Sequence, residues 1–411
     1  MRILYLAHRI PYPPNKGDKI RSYHHVRHLA ERHEVSLFTF VDDAADEDGA
    51  ARLCEVCREV VTIRLRKPVA LVRGALSLGA GRSLSEGFYH WPAMRRAIAR
   101  AAAREPFDVV WAFSSVMAQY LDAARARWRV VDYVDVDSEK WRQFGHDSWG
   151  PLRQAYCLEA SRLRALEARL ARSADHVLFV SNAEADLFHS FCPEARGVRV
   201  IPNGVDTEYF KPSATPSAER QPTMLFTGAL DYRPNIDAVL FFVREVLPLV
   251  RREIPDARFL AVGHRPAQPL LRAVETHNGA VRIAGSVPDV RPYFAEASVY
   301  VAPLRLGRGV QNKVLEAMAM RLPVVASPAA VAGLVVEEGT HALVADTAER
   351  FAAAVVLLLR DPQRAARLSA AAARLILERY TWSGNFQLLT ECLGTESAAA
   401  RGERPRAACV A

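Results

Sequence analysis

Two α/β domains, each a doubly wound parallel sheet, are what this sequence predicts, and three observations lead there. The chain has 411 residues, too many for one hydrophobic core and suited to two domains of about 200 residues each. Half of its residues are apolar and about a quarter are charged, the balance of a globular protein. Short apolar runs alternate with helix-period segments from one end to the other, as repeated βαβ units require.

In the first half the apolar runs fall at 3–7, 35–40, 60–65, 108–112, 130–134 and 177–180, with helical patterns at 23–32 and 152–171 among them. A second series begins at 224–227 and continues at 258–262, 281–284, 299–302 and 323–326. Between the two series lies 198–206, with an Asn203–Gly204 turn, and then a proline- and serine-rich stretch at 211–222 that reads as an exposed linker. The expected domains are therefore 1–205 and 206–380. A last helix at 381–393 is expected to pack back on the first domain, and the polar, basic tail at 394–411 is expected to be disordered.

Composition excludes several classes. No window holds the ~18 uninterrupted apolar residues of a membrane helix, and the N-terminus meets Arg9 and Pro11 too early for a secretory signal. The expected compartment is the cytoplasm. The six cysteines are scattered, which does not suggest a disulfide framework. Cys54 and Cys57 lack two further ligands for zinc and read as small apolar residues on one helix face. Residues 1–130 hold 21 Lys and Arg against 14 Asp and Glu, so nearly all of the net charge of +8 lies there. The basic residues are not interleaved with aromatics, so nucleic acid is not an expected partner. Between Lys67 and Arg82 an apolar stretch is bracketed by cations, which fits either a core helix or peripheral contact with the inner face of the plasma membrane.

In doubly wound sheets ligands sit beyond the carboxyl ends of the strands. Two glycine turns fall there: Gly17–Asp18 after the first run, and Gly228 after the first run of the second half. Neither matches G-x-G-x-x-G, so a dinucleotide cofactor is not expected. The strongest signal follows the run at 299–302, where Gly307 and Gly309 flank Arg308 and a helix opens near Gln311. Backbone N–H groups at that helix start, with Arg308 and Lys313, form a cationic cradle for a diphosphate. Asn312 opens the same helix, and Glu316 follows one turn later on the same face, where its carboxylate can accept hydrogen bonds from a ribose diol. In the first half Asp132, Asp135 and Asp137 cluster at the end of a run. They read either as strand-end caps or as groups of which Asp135 or Asp137 orients an acceptor hydroxyl. Asp135 and Asp137 also satisfy D-x-D, a pattern that binds a divalent cation in one large class of sugar transferases. His24 and His28 are four apart but lack a third ligand, and no metal site is expected.

The run from Val314 through Pro323 to Ser327 resembles the signature of retaining glycosyltransferases of family 4, which have the GT-B fold. Val200–Asp206 is similar to that family's interdomain junction, and 174–181 to the last strand of its N-terminal domain. The segments 228–235, 310–319 and 134–141 resemble sugar transferases of exopolysaccharide and exosortase (PEP-CTERM) systems. The resemblance implies two Rossmann-like domains facing across a cleft, with an acceptor site in the first and a nucleotide-sugar site in the second. It implies a nucleoside diphosphate sugar as co-substrate with no further cofactor, a glycan or lipid-linked glycan as acceptor, and the loop at Val287 as lining for the nucleobase. Two departures follow from it. Arg308 stands where the family has a first glutamate, eight positions before Glu316. Ala229 and Pro234 stand where it has phosphate-binding Arg and Lys, leaving Arg308, Lys313 and Arg233 to supply positive charge. Two rival activities stay open: epimerisation of the nucleotide sugar, and non-catalytic binding of it within an assembly.

Overall fold

The computed structural model describes residues 1–43, 49–212, 221–275, 277, 279–307, 309–393 and 408–410. The chain divides into two compact units, one of Met1–Ile201 with Phe386–Ala411 and one of Pro202–Asn385.

The first unit is built on an all-parallel sheet. Its strands are β1 (Arg2–Ala7), β2 (Glu34–Val41), β3 (Glu59–Arg64), β4 (Val109–Phe113), β5 (Trp128–Val134), β6 (His176–Phe179) and β7 (Val198–Val200). The second unit carries β8 (Thr223–Thr227), β9 (Arg258–Val262), β10 (Val281–Ala284), β11 (Val299–Ala302), β12 (Val324–Ala326) and β13 (Leu343–Val344). A last strand, β14 (Ala408–Val410), joins the edge of the first sheet beside β3. The orders are β14-β3-β2-β1-β4-β5-β6-β7 and β10-β9-β8-β11-β12-β13. Both sheets thus contain the doubly wound order 3-2-1-4-5-6, with the winding reversing between β1 and β4 and between β8 and β11.

Burial on both faces explains why the strands read as continuous apolar runs rather than alternating ones. In β1, Leu4 and Leu6 pack with Met94, Ile98 and Tyr133, while Ile3, Tyr5 and Ala7 pack with Val26 and Leu29. Successive residues of one strand therefore feed two cores, one on each side of the sheet. The second unit has a core that includes Phe226, Phe242, Val301 and Leu315.

The chain crosses between the units twice. Val205 N–H donates to Tyr380 O at 2.7 Å, and Val205 bridges to Thr381. Gly204 is required beside them, because a Cβ there would lie 2.6 Å from the backbone nitrogen of Trp382. Asn385 Nδ2 closes the junction onto Pro202 O at 2.9 Å. Past it, in the helix Trp382–Cys392, Phe386 lays its ring on His28 with centroids 4.0 Å apart. Leu389 and Leu393 are buried in the core that contains Ile3 and Val26.

Three features differ from the sequence expectation. The tail, expected to be disordered, contains β14 within its described residues, paired in parallel with the otherwise open edge of β3. Strands β7 and β13, of three and two residues, are too short to show as apolar runs. The helix Gly49–Cys54 stops before Cys57, so the two cysteines do not share a helix face. Cys54 is disulfide-bonded, whereas Cys57 is a free thiol that burial pushes up to about 12.

Candidate functional site

The reversal between β8 and β11 brings together residues distant in sequence. β8 runs into Gly228 at φ 149°, and the helix Arg233–Phe241 follows. β11 runs through Leu304 into a loop that ends at the helix Asn312–Ala319. From that second helix Lys313 reaches back to the first strand's turn. Its ammonium donates to Asn235 Oδ1 and sits 4.8 Å from the centre of the Phe226 ring. Asn235 is itself held, its Nδ2 donating to Ala229 O at 2.8 Å. A Cβ on Gly228 would stand 2.9 Å from Asn235 Nδ2 and 3.1 Å from Lys313 Nζ, so glycine leaves the ammonium its place against the turn.

Lys313 and Glu316 are half-buried, and each perturbs the other. Burial lowers the Lys313 ammonium to about 8, with Glu316 opposing the shift. Burial likewise raises the Glu316 carboxyl to about 7, with Lys313 opposing it. Both charges are thus marginal near neutral pH, the state in which an incoming anion and an incoming hydrogen-bond donor have most effect. Asn312 Oδ1 accepts from Asn203 Nδ2 at 2.9 Å, which fixes the start of the helix. Arg305 forks onto Asp237, with Nε 2.9 Å from Oδ2, and ties the loop after β11 to the helix after β8.

Arg308 lies outside the described residues. Gly309, at φ 66°, needs glycine, and Gly333 lies so close below it that a Cβ there would meet Gly309 O at 2.6 Å. Gly307 has room for a side chain, its nearest neighbour being 3.6 Å from a built Cβ. Arg233 is exposed at the first position of its helix, and it is Asn235, not Arg233, that reaches Lys313. Val287 follows β10, half-buried against the core of its unit. Asn235 and Phe226 were not legible as site residues, since their role depends on Lys313, 78 positions beyond Asn235.

In the first unit the carboxylates separate into three environments. Asp132 is fully buried and gripped by Arg21, Nε at 2.9 Å from Oδ2 and Nη2 at 3.0 Å from Oδ1, with His25 Nδ1 at 3.4 Å. It belongs to the core. Asp137 opens the helix Asp137–His146 and accepts from Ser115 Oγ at 2.8 Å. Asp135 is different. Its Oδ1 is buried with no hydrogen-bond partner, and its carboxyl is raised to about 7, first by burial and then by Glu184 and Asp137. Backbone strain marks the same strand ends: Ser114 after β4 has φ 80° and Val134 at the end of β5 has φ 69°, with a register shift between Asp132 and Val134. Near β1, Asp18 in the first turn after Gly17 sits 2.8 Å from Arg9 Nη1 and 3.2 Å from His8 Nε2, and these partners hold it well below the usual carboxylate range.

The profile of the family described as Glycosyltransferase Family 4 matches residues 20–209, and that described as Glycosyl transferases group 1 matches residues 221–361. The two profiles fall on the two units in turn, and the chain is a glycosyltransferase. Among its relatives, a GDP-mannose-dependent alpha-(1-6)-phosphatidylinositol monomannoside mannosyltransferase of Mycobacterium tuberculosis is 27% identical, the match covering 94% of this chain and 97% of the relative. Among solved structures, HepE of Anabaena in complex with UDP superposes with a TM-score of 0.70 at 16% identity, over 96% of this glycosyltransferase and all of that chain. Sucrose-phosphate synthase of Thermosynechococcus elongatus gives 0.72 at 20% identity, over 95% and 98%. These two likenesses establish the GT-B fold.

If Glu316 holds a ribose diol, its loss is measurable without turnover. Glu316→Ala is expected to weaken nucleoside diphosphate binding by about 1.5–3 kcal/mol, the range for a hydrogen bond to a charged group. Unchanged affinity by calorimetric titration of a folded variant removes Glu316 from the site.

Proposed function

We propose that this glycosyltransferase moves a sugar from a nucleoside diphosphate sugar to a hydroxyl on a glycan or lipid-linked glycan, with retention of configuration, in exopolysaccharide or other cell-surface glycan synthesis. One observation carries the reading: the Lys313 ammonium, held by Asn235 against the Gly228 turn, with Glu316 three residues on. As the bond between the anomeric carbon and the diphosphate oxygen breaks, negative charge grows on the leaving group. Lys313, the amides at the start of Asn312–Ala319 and Arg308 are the groups proposed to take up that charge, with Gly307 and Gly309 letting backbone approach it. A diphosphate beside Lys313 favours the charged ammonium and so offsets the effect of burial. Gly228 and Arg233 border the donor, and Val287 borders its base. In the first unit Asp135 and Asp137 are proposed to meet the acceptor, and Gly17 and Asp18 to bind it. Asp135 is the better proton acceptor of the two, because Asp137 is already engaged by Ser115.

Support for the donor class comes from the relatives' own names. The mycobacterial enzyme is GDP-mannose-dependent, and HepE is described in complex with UDP-glucose. The exopolysaccharide setting rests on the motif resemblance at 228–235, 310–319 and 134–141.

The test is incubation of the EDTA-treated full chain with radiolabelled nucleoside diphosphate sugars, without acceptor. Slow release of free sugar and nucleoside diphosphate is expected. An isomerised sugar still attached to nucleotide makes the chain an epimerase, and binding with no chemistry makes it a binding subunit. Release only after magnesium or manganese is restored favours a metal held by Asp135 and Asp137.

A further inference from the structure

The helix Lys67–Gly79 faces the wrong way for a protein surface. Ala70 and Gly74 are its buried residues. Arg73 and Ser77 also serve the inner side: Arg73 Nη1 donates to His90 O at 3.0 Å and its guanidinium lies 5.1 Å from the Trp91 ring, while Ser77 Oγ lies 2.7 Å from both Gly74 O and Ser83 O, with one proton to share between them. The outer side, spanning Pro68, Val69, Leu71, Val72, Ala75 and Leu76, is exposed and wholly apolar. Leu71 is 57% exposed, Val72 60% and Leu76 70%. A folded domain that needed this helix only for its core would have the opposite arrangement.

The apolar side is held out by close packing rather than by accident of a loose segment. A Cβ on Gly74 would meet Leu84 at 3.0 Å, and one on Gly87 would meet Ser77 Oγ at 2.3 Å, so small residues let this helix lie tightly on Leu84–Phe88. Glu159 caps that second helix, accepting from Leu84 N–H at 2.6 Å and Ser85 N–H at 2.9 Å, and Arg162 Nη1 ties Leu78 O at 2.6 Å.

Charge identifies what covers them. Between residues 60 and 85 there are five cations, Arg64, Arg66, Lys67, Arg73 and Arg82, and no carboxylate. Arg64, Arg66, Lys67 and Arg82 are exposed at the two ends of the apolar side. Lys67 has an acidic neighbour, Asp42, at 3.3 Å. An apolar face rimmed by cations fits the headgroup and upper acyl region of an anionic bilayer: apolar side chains enter the acyl boundary while the cations meet lipid phosphates.

We propose that the helix Lys67–Gly79 docks the chain on an anionic membrane surface. The contact deepens the proposed function by giving the acceptor-side unit a place at the surface where a lipid-linked acceptor is presented. It rests on that reading only for this purpose. Vesicle binding is measured without turnover, so either idea can fail alone.

The test is co-sedimentation of the full chain with vesicles of phosphatidylcholine alone and of phosphatidylcholine mixed with phosphatidylglycerol. Binding to the mixed vesicles only, weakened by salt, is expected. The triple variant Leu71→Gln, Val72→Gln, Leu76→Gln, which changes exposed positions alone, should bind about tenfold less or weaker still. Arg66→Glu with Arg82→Glu should abolish the preference for phosphatidylglycerol. Absence of binding to the mixed vesicles, or equal binding by the triple variant, overturns the proposal. So does self-association in sedimentation velocity that the triple variant loses, which assigns the face to a second copy.

Discussion

Lys313→Met is expected to lower turnover by about 10²–10³-fold, the usual cost of removing one group that stabilises charge developing in a transition state. Methionine fills the same space over the Phe226 ring and removes only the ammonium, so the variant should fold. The loss should fall mainly on kcat, since charge on the diphosphate grows as the glycosidic bond breaks. The pH dependence adds a second readout. Above about 8 the ammonium deprotonates in the free protein, so nucleoside diphosphate affinity should fall as pH rises through that value. Below about 7 Glu316 is protonated and accepts ribose hydrogen bonds poorly, so affinity should also fall on the acid side. The alkaline limb should be missing in Lys313→Met. Steady-state kinetics with calorimetry across pH checks both, and an unchanged alkaline limb removes Lys313 from phosphate contact.

Arg21→Met is expected to destabilise the first unit by about 3–5 kcal/mol, because it leaves a buried carboxylate without its partner. Arg21 holds Asp132 through two hydrogen bonds and also donates to Ile201 O at 2.8 Å, the last residue before the chain leaves that unit. Burial already pushes the Asp132 carboxyl up, and Arg21 opposes that shift. The double variant Arg21→Met with Asp132→Leu should recover much of the loss, since it removes both buried charges. Urea denaturation followed by tryptophan fluorescence reads the change, with Trp111 fully buried in this unit as reporter. A loss below about 1 kcal/mol would mean that water, not Arg21, satisfies Asp132.

The fold was legible wherever burial on both faces produced an apolar run. Strands β1, β2, β4 to β6, β8, β9, β11 and β12 are of that kind, whereas β3 and β10 are only partly buried and β13 has two residues and leaves no run to read. As candidates, Lys313 and Glu316 were legible because a glycine-flanked loop leading into a helix start has a local cause. Asn235 was not. Its contact with Lys313 exists because β8 lies beside β11, and strand order is a property of the sheet, not of either segment. The three N-terminal aspartates looked alike in sequence. Their separation into a core ion pair, a Ser115 acceptor and a carboxylate whose Oδ1 is buried without a hydrogen-bond partner accompanies a register shift between β5 and β6 and the reach of Arg21, more than a hundred positions from Asp132. The helix Lys67–Gly79 was ambiguous for a related reason, since its composition shows an apolar segment but not which side the protein covers.

The second unit is proposed to hold a nucleoside diphosphate through Lys313 and Glu316. The most direct measurement is thermal unfolding of the full chain, in EDTA, against a panel of nucleoside diphosphates and their sugars. A ligand of the native state at 100 times its dissociation constant adds about 2.7 kcal/mol of stability, so at least one nucleobase series should raise the unfolding temperature clearly. The rise should be smaller in Lys313→Met and in Glu316→Ala. No shift with any nucleoside diphosphate, or a shift of equal size in both variants, contradicts the account.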